Sequence, residues 1–304
     1  MFIIKHKKIF LGISAALVLV SLILLLSLGI RVGIDFKGGA LTEVSYAGER
    51  PTLPEVEEKI TTLGLGNFLV QPTGESGYII KTRDLMEAEH RALLQALPGA
   101  TETNFNSIGP SVGRELTRKA IIAVVLVSLV IICFIAFAFR KVSRPVSSWK
   151  YGMIAIGALL HDVIIPTGIF VLLSRFYGAE LDALFAVAIL TILGLSVSDT
   201  IVIFDRIREN LRSSDNLSKV NFSEIVGKSL EQSFARSIAT SLTVILVLLS
   251  LVFFGPSNTK YFALMLTAGM FFGTYSSLFL ASPLLVLAEE WQRQGKKLAR
   301  PLAG

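Results

Sequence analysis

The chain has 304 residues, of which 52% are hydrophobic and only 17% are charged. Its mean hydropathy of +0.65 is too high for a soluble globular protein of this length. The composition therefore excludes an ordinary soluble enzyme and indicates a protein whose main solvent is the lipid bilayer.

Six apolar runs of about 20 residues are long enough to cross roughly 30 Å of hydrocarbon as helices. They cover residues 9–30, 120–139, 153–173, 183–204, 238–254 and 262–288. The first run follows three lysines, but it is longer than the roughly 7 to 15 apolar residues of a secretion signal. It therefore predicts an anchor, and the chain as a whole predicts a polytopic α-helical membrane protein with six transmembrane helices.

The basic residues are distributed unevenly between the segments that join these runs. If the N-terminus is cytoplasmic, the two short loops on the opposite side hold only Arg175 and Lys260. The cytoplasmic segments hold Lys5, Lys7, Lys8, Arg140, Lys141, Arg144, Lys150, Arg206, Arg208, Arg212, Lys219, Lys228, Arg236, Arg293, Lys296, Lys297 and Arg300. This bias follows the positive-inside rule and predicts that both termini are cytoplasmic. The net charge of +6 then encodes orientation, and no nucleic-acid partner is expected.

Hydrophobicity falls between the first two runs, where residues 31–118 are numerous enough to fold as a small extracytoplasmic domain. The patterns predict a strand at 40–47, a helix at 52–65, strands at 68–72 and 78–83, a helix at 84–97 that Asp84 caps, and a strand at 100–108. This βαββαβ order is that of a ferredoxin-like α+β unit. The chain thus divides into residues 1–30, 31–118, 119–290 and a basic cytoplasmic tail, 291–304.

The motif "GIDFKGG" at residues 33–39 stands at the entrance to this domain. Gly38 and Gly39 permit backbone conformations that are closed to other residues, so they predict a tight turn, with Asp35 capping or pairing nearby. A structural turn is favoured over a ligand site, because the motif lacks the Gly-Lys-Ser/Thr ending of a phosphate-binding loop.

Ionisable residues interrupt three of the apolar runs. His161 and Asp162 lie inside the third run, Asp199 lies inside the fourth, and Arg236 lies at the start of the fifth. A central Asp or Arg costs roughly 2.5 to 3.5 kcal/mol on insertion, so each is expected to face a partner or a hydrated cavity. Neighbours on a helix lie about 100° apart, so His161 and Asp162 are not expected to point at one site. Asp162 is expected to meet another helix.

Asp199 lies about 9 Å by helical rise from the helix end at Asp205, too far for its short side chain to reach water. Ser196 lies one turn earlier, and Gly194 and Ser198 are small enough for another helix to approach closely. The sequence therefore predicts that this face turns into the helix bundle.

A polar stripe is predicted on the fifth run, where serine, threonine and arginine recur three or four residues apart. Its members are Ser229, Ser233, Arg236, Thr240 and Thr243. Burial and a nearby guanidinium act on a carboxyl in opposite directions, so the hypothesis is that Asp199 carries a proton under the influence of Arg236. A fixed buried ion pair is the static alternative, and ordinary helix–helix hydrogen bonding is the alternative for the hydroxyl groups.

The sequence offers no enzyme site, since it has no nucleotide-binding loop and no nucleophile elbow. The one cysteine, Cys133, lies inside the second run, and the three histidines form no metal-ligand pattern. We therefore expect no enzymatic activity, no metal and no cofactor.

Four motifs together resemble the SecF members of the SecD/SecF family, which is part of the RND superfamily. They are "GIDFKGG" after the first run, "HDV" in the third, "SVSDTIVIFDRIREN" in the fourth and "SFARSIATSLT" in the fifth. The resemblance covers nearly the whole chain, and the motif in the fourth run is the most specific. This chain departs from the family pattern of that motif at Ser198, where many family members carry Asn.

The resemblance implies a multi-pass subunit of the bacterial Sec preprotein translocase in the cytoplasmic (inner) membrane, which uses the proton-motive force to promote export. It implies SecD as the direct partner, the SecYEG translocon and YajC as further partners, and unfolded preproteins as substrates. It assigns Asp199 and Arg236 to proton transport. The residue pattern adds four secondary polar candidates, which are His161, Asp162, Ser196 and Thr240. The alternatives are an RND-type exporter of small molecules or lipids and a passive assembly scaffold.

Overall fold

The computed structural model describes residues 2–138, 146–213, 221–256 and 259–298, which form two compact units. The membrane unit comprises Met1–Ile30, Ala123–Ala179 and Leu184–Gly304, and the outer unit comprises Arg31–Ile122 with Glu180–Ala183. Part of the predicted cytoplasmic charge lies outside the described residues, namely Arg140, Lys141, Arg144, Lys219 and Arg300, and so does the end of the predicted tail, 299–304.

The elements follow one another as a long helix, a small α+β region and then five further long helices. In chain order they are α1 (Phe2–Lys5), α2 (Lys7–Leu28), α3 (Ile34–Lys37), β1 (Gly39–Tyr46), α4 (Leu53–Thr61), β2 (Leu69–Thr73), β3 (Gly77–Thr82), α5 (Glu87–Gln95), β4 (Ala100–Ile108), α6 (Pro110–Ala138), α7 (Ser148–Tyr177), α8 (Ala183–Arg212), α9 (Phe222–Phe254), α10 (Lys260–Ser276), a π-helical turn (Ser277–Ala281) and α11 (Ser282–Leu298).

The six predicted spans are confirmed, since six helices among the described residues are long and apolar enough to cross a membrane. They are α2, α6, α7, α8, α9 and the continuous sixth span formed by α10, the π turn and α11. In their most apolar windows, 50% of α7, 50% of α8 and 67% of the sixth span are buried, compared with 11% of α2, 6% of α6 and 11% of α9. The core of the membrane unit therefore lies among α7, α8 and the sixth span.

Glycine allows close helix contacts in this core, but not at the predicted positions. A Cβ atom on Gly168 of α7 would lie 2.5 Å from the Ser21 side chain of α2, and one on Gly273 of α10 would lie 3.2 Å from Ser196 of α8. Gly194 and Ser198 are exposed, and a Cβ atom on Gly194 would meet nothing within 4 Å. Within the described part of this chain no helix approaches closely at these two residues, and α10 instead packs on the face of α8 that carries Ile192 and Ser196.

The outer unit has the predicted βαββαβ order. Its four strands form one sheet in the order β2-β3-β1-β4, with every neighbouring pair antiparallel. This is the strand order of a split βαβ, ferredoxin-like unit. Alternate β1 residues such as Ala40 and Val44 are buried together with Val56 and Ile60 of α4 and Leu93 of α5, so both helices pack on one face of the sheet.

In each of the two domain helices, a glutamate in the first turn accepts a hydrogen bond from the backbone N–H of the residue that precedes the helix. Thr52 precedes α4, and its backbone N–H donates to the Glu55 carboxylate at 2.8 Å. The prediction that Asp84 caps the second helix is wrong, because α5 starts after Met86, whose backbone N–H donates to Glu89 at 3.0 Å. Asp84 instead accepts a hydrogen bond from Ser107 at 2.6 Å and so holds β4.

Candidate functional site

The membrane unit buries two aspartates on neighbouring spans. Asp162 on α7 is 0% exposed, and it accepts three hydrogen bonds. Its Oδ1 lies 2.8 Å from Nδ1 of His161, and its Oδ2 accepts hydrogen bonds from Ser276, at 2.6 Å, and from Ser196. The prediction that Asp162 meets another helix is confirmed, since its partners lie on α8 and α10.

The close contact of His161 with Asp162 contradicts the expectation that these neighbours point apart. Their Cα–Cβ directions diverge around the helix, but consecutive Cα atoms are only about 3.8 Å apart. Rotation about the side-chain bonds therefore brings the imidazole and the carboxylate together. The two residues form one buried pair, in which His161 is 3% exposed.

Asp199 on α8 is only partly satisfied by its neighbours. Its Oδ1 accepts a hydrogen bond from Ser237 of α9 at 2.6 Å. Its Oδ2 is buried and has no hydrogen-bond partner among the described residues. The predicted inward orientation of Asp199 is therefore confirmed.

Arg236 does not form an ion pair with Asp199 within the part of the chain that the structure describes. Its side chain is exposed, and it acts on Asp199 only through longer-range electrostatics. Arg236 lines a polar cleft of about 260 Å³ near the C-terminal end of α8, together with Asp205, Glu209 and Gln232. The static alternative, a fixed buried ion pair between Asp199 and Arg236, is not formed in the described conformation.

The buried polar stripe of α9 shares Ser229 and Ser233 with the predicted stripe and diverges from it after Ser233. Its buried members are Ser229, Ser233, Ser237 and Ser241, each four residues from the next. The predicted stripe departs from this face at Arg236, so Thr240 and Thr243 are exposed. After Ser233, a spacing of three residues leads to Arg236 and a spacing of four leads to Ser237. Only the contact with Asp199 on α8 shows that the buried face continues through Ser237.

Hydroxyl groups of the sixth span complete the site. Thr200 of α8 lies 2.8 Å from Ser277, the first residue of the π turn, and Thr274 is hydrogen-bonded to Ser241 of α9. Ser276 and Ser277 are adjacent, and they contact Asp162 and Thr200 respectively. The sequence "TYSS" (274–277) carried this signal, but small hydroxyl residues in an apolar run do not by themselves distinguish a site from helix packing.

The entrance motif belongs to the outer unit, and it has the predicted turn geometry. Gly38 and Gly39 have φ angles of 81° and 142°, in the region that side chains disfavour. Oδ2 of Asp35 accepts a hydrogen bond from the backbone N–H of Ala183 at 2.8 Å. These three residues therefore fix the backbone conformation of the outer unit at the entrance motif.

The described residues contain no group of three His, Cys, Asp or Glu side chains that is arranged to hold a metal ion. The site instead consists of two carboxylates and one imidazole, joined by serine and threonine hydroxyls. Groups of this kind take up, release and pass on protons.

The comparisons with known proteins agree on one family. A family model described as protein export membrane protein SecD/SecF, C-terminal, matches residues 90–291. Protein translocase subunit SecF of Thermobaculum terrenum is 41% identical over 302 residues, which cover 93% of this chain and 92% of that protein. Protein translocase subunit SecF of Anaerolinea thermophila is 35% identical, with 98% of each chain covered.

Solved structures show the same fold within longer chains. The crystal structure of SecDF from Thermus thermophilus, described as a translocon-associated membrane protein, matches with a TM-score of 0.80 and 29% identity. The match covers 95% of this chain and 38% of that one. Among the relatives matched by sequence, protein translocase subunit SecDF of Bacillus subtilis is 32% identical, and this chain spans only 37% of its length.

Proposed function

This chain belongs to the SecD/SecF family of protein export membrane proteins, and from that premise we propose that it works as a SecF-type subunit of the Sec preprotein translocase. The observation that carries the proposal is the similarity, over nearly the whole chain, to proteins named protein translocase subunit SecF. The family resemblance drawn from the four motifs is confirmed. The proposal assigns no chemical reaction to the chain, so its contribution to export is mechanical.

The finer part of the proposal is that Asp199 couples export to the proton-motive force. Support comes from its position inside α8 and from the buried Oδ2, which has no partner among the described residues. A proton can bind at this oxygen without breaking the hydrogen bond from Ser237 to Oδ1. One charge that crosses a potential of 100 mV releases about 2.3 kcal/mol, enough to bias a two-state rearrangement.

The switch that we propose is an exchange of partners on α9. Ser237 and Arg236 are consecutive, so they lie about 100° apart around the helix. In the described conformation the Ser237 hydroxyl contacts Asp199, and Arg236 lines the adjacent cleft. A rotation of α9 that turns Arg236 toward α8 would bring its guanidinium to the Asp199 carboxylate. This would favour the ionised form of Asp199 and release its proton.

The proposed partners follow from the relatives. The Bacillus subtilis and Thermus thermophilus proteins are named SecDF, and this chain matches only part of each. We therefore propose SecD as the direct partner. The SecYEG translocon, YajC and unfolded preproteins complete the proposed assembly in the bacterial inner membrane, with both termini of this chain in the cytoplasm.

The proposal is tested by complementing cells depleted of this chain with wild type, Asp199→Asn or Glu57→Gln. Glu57 is an exposed carboxylate on α4 of the outer unit, so Glu57→Gln is the control for removal of one acidic group away from the site. We expect wild type and Glu57→Gln to restore secretion, and Asp199→Asn to assemble with its partner but leave secretion at the depleted level.

Proton flux in vesicles that contain the assembled complex should be lower with Asp199→Asn than with wild type, and undiminished flux would reject a carrier role for Asp199. The secretion results separate the competing functions. Full rescue of secretion by Asp199→Asn would overturn the proton-coupling proposal and favour a passive scaffold. Normal secretion in depleted cells would instead overturn the export role and favour an exporter of small molecules or lipids.

A further inference from the structure

The pair formed by His161 and Asp162 contains a buried ring nitrogen that the proposed export cycle does not use. Nδ1 of His161 lies 2.8 Å from Oδ1 of Asp162, and when Asp162 is ionised Nδ1 is the donor, because a carboxylate oxygen only accepts. Nε2 of the same ring is buried and has no hydrogen-bond partner among the described residues. A neutral His161 therefore keeps a free lone pair at Nε2 inside the membrane unit.

The charge of this pair is not balanced by any neighbour. Three donors satisfy the ionised form of Asp162, namely His161, Ser196 and Ser276. Within the described ranges, no Lys or Arg forms an ion pair with it. With a neutral imidazole the pair carries one buried negative charge, and an uncompensated buried charge is costly. Addition of one proton at Nε2 makes the pair neutral overall.

The elements packed against the pair supply aromatic rings, hydroxyls and one second carboxylate. From α10, the Tyr275 ring stacks on His161 at 6.0 Å between centroids, and Phe272 meets it edge-on at 6.4 Å. From α2, Ser14 lies 3.4 Å from the Tyr275 hydroxyl. From α8, Ser196 contacts Asp162 directly, and Asp199 acts on Asp162 electrostatically.

Adjacent hydroxyls of the sixth span contact both helices that carry the two carboxylates. Asp162 contacts Ser276, the adjacent Ser277 contacts Thr200, and Thr200 is the neighbour of Asp199 in α8. Two negative charges in one apolar interior oppose each other, so their ionisation is coupled. Loss of the negative charge at Asp199 therefore lowers the proton affinity of the His161–Asp162 pair. By linkage, loss of the negative charge of the pair lowers the proton affinity of Asp199 to the same extent.

We propose that His161 and Asp162 form a second proton-binding site of this chain, which takes up one proton at Nε2 of His161 and is electrostatically coupled to Asp199. The proton comes from water and binds the Nε2 lone pair, and no covalent bond of the protein breaks. The use of this site during export rests on the proposed function. The existence of the site and its coupling to Asp199 do not.

The test is a pH titration by solid-state NMR of the full chain, labelled with ¹⁵N-histidine and reconstituted in lipid bilayers. The chain has only three histidines, and the signals of His161 are those that disappear in His161→Gln. We expect an imidazolium signal of His161 to form as the pH falls. In Asp162→Asn that signal should be lost, because the imidazolium has lost its counterion.

Asp199→Asn tests the coupling while leaving every contact of the pair in place. We expect the imidazolium to form at lower pH than in wild type, since a nearby negative charge has been removed, whereas Glu57→Gln, which removes an exposed carboxylate of α4, should titrate as wild type does. A neutral His161 from pH 4 to 9 overturns the proton site, and equal titration in wild type and Asp199→Asn overturns the coupling. Because secretion is not measured, neither result depends on the export role, which the complementation assay tests separately.

Discussion

Ser237 of α9 donates a hydrogen bond of 2.6 Å to Oδ1 of Asp199 on α8, and this contact joins the fourth and fifth spans at the carboxylate. Hydrogen bonds to charged groups contribute about 1.5 to 3 kcal/mol. We expect Ser237→Ala to reduce proton-dependent secretion, because the carboxylate would lose the donor of its 2.6 Å hydrogen bond. Secretion in complemented cells at equal membrane abundance measures the effect.

Ser250→Ala is the matched control for this substitution. Ser250 lies on the same helix, is exposed, and donates only to the carbonyl of Leu246 at 3.0 Å. It should leave secretion unchanged. Equal secretion by the two variants would show that the Ser237 contact has no part in the activity of Asp199.

The register of α9 shows where sequence reasoning about the site stopped. The sequence located Asp199, Arg236, Ser229 and Ser233 by the cost of polar groups in an apolar run, and that cost is independent of the fold. It named Arg236 and not Ser237 as the partner of Asp199, because it followed a spacing of three residues after Ser233, and spacings of three and four both keep to one face of a helix. The choice depends on how α9 packs against α8, which is a tertiary property.

Gly168 of α7 marks a contact between the first and third spans that no side chain can occupy. A Cβ atom there would lie 2.5 Å from the Ser21 side chain and 2.8 Å from its Cα atom. We expect Gly168→Ala to destabilise the membrane unit by about 1 to 3 kcal/mol, the usual cost of overpacking. Thermal unfolding of the full chain in detergent measures the change.

Gly157→Ala on the same helix is the control, since a Cβ atom on Gly157 would meet nothing within 4 Å. Alanine is favoured over glycine in a helix by about 1 kcal/mol, so this variant should be as stable as wild type or more stable. If both variants unfold at the wild-type temperature, α2 does not pack on α7 through Gly168.

The fold was more predictable than the site because its signals are periodic and local. Hydropathy over about 20 residues gave the six spans, and alternation in stretches such as Ala40–Tyr46 gave the strands of the outer unit. The start of α5 was misplaced because Asp84 is a good helix cap by residue type, yet its carboxylate holds Ser107 on a distant strand. The π turn at Ser277 had no local signal, since its residues suit an α-helix equally well.

Gly38 has a backbone conformation and a close contact that both exclude a side chain. Its φ angle is 81°, and a Cβ atom would lie 2.8 Å from the Cα atom of Pro110. We expect Gly38→Ala to destabilise the outer unit by at least about 1 to 2 kcal/mol, the cost of a left-handed conformation. Limited proteolysis of the full chain in lipid should then cut within 39–108 faster than in wild type.

Gly48→Ala provides the comparison, because a Cβ atom on Gly48 meets nothing within 4 Å and the residue has no positive φ angle. It should be cut at the wild-type rate. Unchanged proteolysis of Gly38→Ala would mean that the entrance turn is not required for the stability of the outer unit.

Glu89 makes the stability of α5 depend on pH. Hydrogen bonds from the Arg83 guanidinium, and then from the backbone N–H of Met86, lower the pKa of Glu89 from 4.5 to about 2. A carboxylate with a lowered folded-state pKa stabilises the fold above its unfolded pKa, and this stabilisation is lost as the pH falls toward the folded value. Protection of the α5 amides from hydrogen exchange, corrected for the intrinsic rate, should therefore fall between about pH 4.5 and 2.

Two variants test this assignment. In Glu89→Gln the protection should be lower at pH 6 and nearly flat between about pH 4.5 and 2. Glu87→Gln loses only a long 3.6 Å contact with Arg91, so it should follow wild type. A wild-type acid profile in Glu89→Gln would show that another carboxylate controls the start of α5.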